Sequence, residues 1–130
     1  MPLASLLSGD SPESAVKLFE ELGIADDTKV VVYDDTFGAL ASRVAWTLQY
    51  IGHKNVALLE VTYSQWKELG LKTSIEKPNI KSAKHSLNLN PEIMATAEYL
   101  EKAKEKDNVV LIDNRAVSYT HLTLPTNREV

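Results

Sequence analysis

Apolar and polar positions alternate in three distinct ways along the chain. Val16, Leu18, Phe19 and Leu22 recur at helical spacing after Ser11-Pro12-Glu13, which supplies an N-cap, a proline at the first helical position and an acid in the first turn. Gly23 predicts the stop of that helix. Val30–Tyr33 is an unbroken apolar run of β-formers, predicting a strand buried on both faces of a parallel sheet. Leu40, Val44, Trp46 or Ala45, Leu48 and Ile51 predict a second helix over 39–51, ended by Gly52. Val56–Leu59 predicts a second buried strand, and Tyr63–Leu69 a short helix closed by Gly70. This helix–strand–helix–strand–helix order predicts an α/β class with a parallel sheet and right-handed crossovers.

The character changes at Leu71–Asn90, which is rich in Lys, Ser and Asn and reads as a connector, with an extended edge segment around 83–89. Pro91 opens a predicted helix to about Lys104, and Asn108–Asp113 reads as another buried strand. The tail VSYTHLTLPTNREV, 117–130, has no helical period. It resembles a translated sequencing-library adaptor, a transposase mosaic end with its extension. One frame of that DNA encodes Val117–Thr126 residue for residue, and a variable index followed by GTG and a stop accounts for the rest. On this reading Tyr119 and His121 carry no function, and the biological sequence ends at Arg115 or Ala116.

The 130 residues are 44% hydrophobic and 25% charged with a net charge of −4, enough for a small core. No basic cluster points to nucleic acid, no apolar run reaches membrane-spanning length, and MPLASLLSGDSPES lacks a signal-peptide layout. A cytoplasmic protein without nucleic-acid or membrane partners is expected. The chain has no cysteine, which excludes disulfides, thiolate metal sites and a cysteine nucleophile.

Several residues carry the resemblance to a known family. They are VVVYDD at 30–35, the A-x-R-x-x-W-x-L-x-x-x-G-H-x-N-V pattern of 41–56, YSQW at 63–66, LNPEI at 89–93 and VVLIDNR at 109–115. Together they are similar to the rhodanese (sulfurtransferase) family, of the tandem two-domain thiosulfate or 3-mercaptopyruvate type. The fold implied is an incomplete, rhodanese-like doubly wound parallel sheet. The implied organisation is the later part of a non-catalytic first domain at 1–72, a connector at 73–90, and the start of a second domain at 91–116. An active domain carries a cysteine at the tip of the strand matching Val30–Tyr33, its thiolate and persulfide held by backbone N–H groups. The resemblance puts Asp34 there, and a carboxylate takes up no sulfane sulfur. The family's Gly-Gly before the tryptophan motif is Val61-Thr62 here, two β-branched residues that resist positive φ.

The resemblance implies a parent enzyme moving sulfane sulfur from thiosulfate or 3-mercaptopyruvate to a thiophilic acceptor, with no cofactor and this chain inactive. Arg115 is implied to contact the small anionic donor, with an inter-domain salt bridge as the alternative. Two other functions stay open: a non-catalytic rhodanese module with a binding or regulatory role, and a Mg²⁺-dependent phosphoryl-transfer domain using Asp34. The plainer role for Asp34 and Asp35 is to cap the helix near Gly38 or to meet the other domain. Arg43 is expected to pair with Asp34, Asp35 or Glu60, and His53 to bond loop backbone. His85 lies in the connector with no ligand partner nearby, and the scattered histidines make no metal site.

Overall fold

The computed structural model describes residues 11–116; the adaptor-like tail and residues 1–10 lie outside them. Two compact units result, one up to Met94 and one from Ala95.

In the first unit, helix α1 spans Pro12–Glu21, capped by Ser11, whose side chain accepts from the Ser14 amide. Strand β1 is Val30–Val32, helix α2 is Ala39–Tyr50, strand β2 is Val56–Leu58 and helix α3 is Tyr63–Glu68. The strands pair in parallel with Val30 opposite Val56 and Val32 opposite Leu58, as an α2 crossover requires. The core is Ala15, Leu18, Phe19, Leu48 and Ile51, with Val30, Val32, Val44 and Val56 packed against it. Helices α1 and α2 therefore cover the sheet face that carries alternate strand residues.

The other face differs from expectation. Val31 and Tyr33 are 53% and 58% exposed, so β1 is covered on one side and not on both. The described residues supply two strands and no helix packed over that face, and an apolar run by itself does not recruit a cover. Leu22, assigned to the α1 stripe, is exposed, and the small Ala15 takes the buried place.

The connector forms no strand at 83–89 but is seated on helix ends. Ala83 donates to the Glu20 carbonyl, and Asn88 and Asn90 donate to the carbonyls of Ile51 and Tyr50, at 2.8–3.0 Å. These bonds satisfy carbonyls that a helix C-terminus leaves open. Gly52 permits the approach: its φ is +98°, and a Cβ there would lie 2.3 Å from the Asn88 carbonyl oxygen.

The helix expected from Pro91 is divided. Pro91–Ile93 is one 3₁₀ turn, and Met94 is extended. Helix α4 spans Ala97–Ala103 in the second unit and begins only at Ala97, because Thr96 caps it by accepting from the Tyr99 amide. Exposed pairs Glu98–Lys102 and Glu101–Lys104 line it. Asn108–Asp113 is not a strand, since a strand exists only with a ladder partner and the described residues give it none; Val110 and Ile112 stand exposed. Among the described residues no helix is long and apolar enough to cross a membrane.

Gly52→Ala is expected to cost about 2–5 kcal/mol, adding positive-φ strain to overpacking. Gly70→Ala, at φ +69° with nothing within 4 Å, isolates the strain alone and should cost about 1 kcal/mol. Urea unfolding of both variants checks the difference.

Candidate functional site

Strand β1 delivers Asp34 and Asp35 to the sheet's C-terminal edge, where α/β proteins gather their chemistry. The loop then turns sharply. Phe37 (φ +54°) and Gly38 (φ +88°) are left-handed in succession, and Phe37 is the one described non-glycine residue with positive φ. Its ring is 88% exposed, so packing does not explain the strain.

The turn aims donors inward. Gly38 is the N-cap of α2 and has no side chain to satisfy the first amides. The Asp34 carboxylate does so from four residues upstream. Its Oδ1 accepts from the amides of Thr36 (3.0 Å) and Gly38 (2.8 Å), while Oδ2 accepts from the Thr36 hydroxyl (2.8 Å) and the amides of Leu40 and Ala41 (2.9 Å each). Five donors and the positive end of the helix dipole converge on one anion. The Ala41 amide above all, then those of Gly38 and Thr36 with the Thr36 hydroxyl, hold Asp34 far below its ordinary 3.8.

Asp35 reaches across to the next strand tip. It accepts from the Ser64 hydroxyl (2.6 Å) and amide (2.9 Å), which depress its pKa in that order. The Tyr63 amide donates to the Asp34 carbonyl, so both acids tie the β1 loop to the start of α3. Val61-Thr62 solves its turn without positive φ. Thr62 is extended (φ −71°, ψ 163°) and caps α3 in a reciprocal box with Gln65.

The expected capping of the helix near Gly38 thus falls to Asp34 alone, and Asp35 bonds Ser64 at the start of α3 instead. Hydrogens turned toward Asp34 repel a cation, which argues against Mg²⁺ at this carboxylate. The Arg43 guanidinium stands over the Trp46 ring, 5.2 Å from its centre, and Trp46 stacks on Tyr50. His53 does bond loop backbone, with Nε2 2.9 Å from the Thr28 carbonyl oxygen. His85 does not stand alone: its Nε2 is 2.9 Å from His53 Nδ1. Nothing local in the sequence pairs two histidines 32 residues apart. His85 sits between Lys84 and Ser86 in a polar connector, so its neighbours do not mark it as buried.

In the second unit Arg115 is held by Asp113. Its Nε (2.8 Å) and backbone amide (3.0 Å) donate to Oδ1, and its Nη2 (2.6 Å) to Oδ2. The guanidinium, then the amide, lowers the Asp113 pKa to about 2.

Residues 4–69 match the family model of the rhodanese-like domain. The chain belongs to the rhodanese-like family. It is 32% identical over 111 residues to sulfur carrier protein TtuD of Thermus thermophilus, a match covering 82% of this chain and 39% of that protein. It is 31% identical to 3-mercaptopyruvate sulfurtransferase of Mus musculus (83% of this chain, 37% of the relative). To thiosulfate sulfurtransferase of Bos taurus the identity is 34% (73% and 33%). The chain spans a third to two fifths of these relatives' lengths. Within the rhodanese-like family, the two-stranded parallel sheet and its helices are an incomplete α/β fold.

Asp34→Asn keeps the side-chain shape but puts an amide among the donors. It is expected to lower the urea midpoint at pH 7. A depressed carboxylate stabilises above its unfolded pKa and loses that contribution as pH falls toward its folded value. The wild type should therefore weaken steadily below about pH 5, and Asp34→Asn should weaken less over the same range. Urea titrations between pH 3 and pH 7 measure both slopes.

Proposed function

We propose that this chain is a non-catalytic rhodanese module of a sulfurtransferase, and that it transfers no sulfur by itself. One observation carries the reading: the anion cradle at the tip of β1 is filled by the protein's own carboxylate, in a chain without cysteine. A persulfide-forming site needs a soft thiolate where those amides converge. Asp34 offers oxygen, and its lone pairs are already engaged.

In the intact protein, sulfane sulfur would pass from thiosulfate or 3-mercaptopyruvate to a cysteine of the following domain and then to a thiophilic acceptor. Residues 1–72 would form the later part of the first domain, 73–90 the connector and 91–116 the start of the second. Arg115 would meet the anionic donor there. In support, its fork is presented in fixed orientation by Asp113 and remains 44% exposed. The names of the two mammalian relatives favour this reading over a stand-alone binding module.

Thiosulfate and cyanide supplied to the pure chain should give no thiocyanate above the blank; turnover would overturn the inactive assignment. Asp34→Cys puts a thiol into the cradle. Its thiolate should form well below the ordinary thiol range near pH 8.5, read by its ultraviolet absorbance against pH. The variant should also gain the mass of one sulfur atom after thiosulfate treatment. An ordinary, unreactive thiol would show that the loop is not an anion cradle of that kind.

A further inference from the structure

Two buried histidine rings hold the connector to the body of the first unit, and their bonds can be counted in protons. His53, just past α2, is 2% exposed, and His85, in the connector, is 7% exposed. The inner contact is His53 Nδ1 to His85 Nε2 at 2.9 Å. The outer nitrogens both face carbonyl oxygens: His53 Nε2 to Thr28 at 2.9 Å and His85 Nδ1 to Ser86 at 2.7 Å. A carbonyl oxygen only accepts, so both outer nitrogens carry hydrogen. A neutral imidazole has one N–H. With both rings neutral, two bare lone pairs would face each other at 2.9 Å, which is repulsive. The pattern closes only with a third proton between the rings.

We infer that His53 and His85 bind one extra proton as a shared imidazole–imidazolium pair, and that this proton latches the connector onto the first unit.

The surroundings suit a buried positive charge, which needs an answering partner. From the α1–β1 turn, the Asp26 carboxylate lies 3.6 Å from His85 Nδ1. Ser86 fixes it there, donating from amide and hydroxyl at 2.8 Å each. These two bonds lower the Asp26 pKa, and the positive histidines add to the effect. From α1, Glu20 accepts the His85 amide at 3.0 Å. The last turn of α2 holds no basic residue, and its carbonyl end favours a cation. Lys54 and Lys84, next in sequence to the two rings, are exposed.

The sign follows from proton linkage. Two free histidines together hold about one proton at about pH 6.5 and less above it, so folding takes up proton only above that pH. Where the folded state binds more protons, stability falls as pH rises. The latch is therefore complete in mild acid and lost on the alkaline side.

The test uses the full chain labelled with ¹⁵N. Proton-coupled imidazole spectra at pH 7 should show one ring pair carrying three N–H groups. The folding constant from urea titrations should fall several-fold between pH 7 and pH 8, about tenfold being the ceiling for one proton. His85→Asn should flatten that slope. Amide exchange at Ala83, Asn88 and Asn90 should quicken as the proton leaves. Two neutral rings at pH 7 overturn the proposal even where the variant does not fold. Exchange of those amides that stays unchanged while the proton is lost overturns the latch.

Discussion

A helix that begins at a glycine has no side chain of its own to quiet its first amides, and α2 begins at Gly38. Asp34 meets that need. Once it does, the strained turn through Phe37, the seating of α2 over β1 and β2, and the approach of α3 through Asp35 and Ser64 are fixed together. A carboxylate can fill an anion cradle permanently, because it is covalently present at high effective concentration and needs no pocket for a ligand's bulk. The cost is chemical: a group bonded to five donors is neither base nor nucleophile at neutral pH. The same five bonds that order the turn occupy the carboxylate's oxygens.

Much of this was legible along the chain. Ser11-Pro12, Gly23, the valine run and the Leu48–Ile51 stripe each declare a local preference that the fold keeps. Local rules failed where the outcome depends on a distant partner. Asn108–Asp113 has strand composition, but composition does not provide a ladder. The face of Val31 and Tyr33 is apolar, yet burial requires something to lie over it. Pro91 is a sound helix opener outbid by Thr96, which brings a side-chain acceptor that proline lacks.

The candidate site was half legible. Adjacent acids at a strand tip near a glycine were readable as a cap, and the donor count follows from the left-handed turn. The histidine pair was not readable, because one ring comes from a helix exit and the other from a segment without periodicity. Val61-Thr62 shows the reverse case. Two residues unsuited to one turn are well suited to another, and Thr62 serves as a cap where glycine would leave the amides bare.

The way the connector is seated governs where its length can change. Trp66 holds the Lys72 carbonyl through its indole N–H, and Ala83, Asn88 and Asn90 are pegged to helix ends. Between these moorings, 73–80 runs exposed, with Ile75 wholly in solvent. Evolution or an engineer can lengthen that stretch at the small entropic cost of a longer loop. One residue added between the pegs would shift the register of everything after it, pulling Asn88 away from Gly52 and His85 away from its mate.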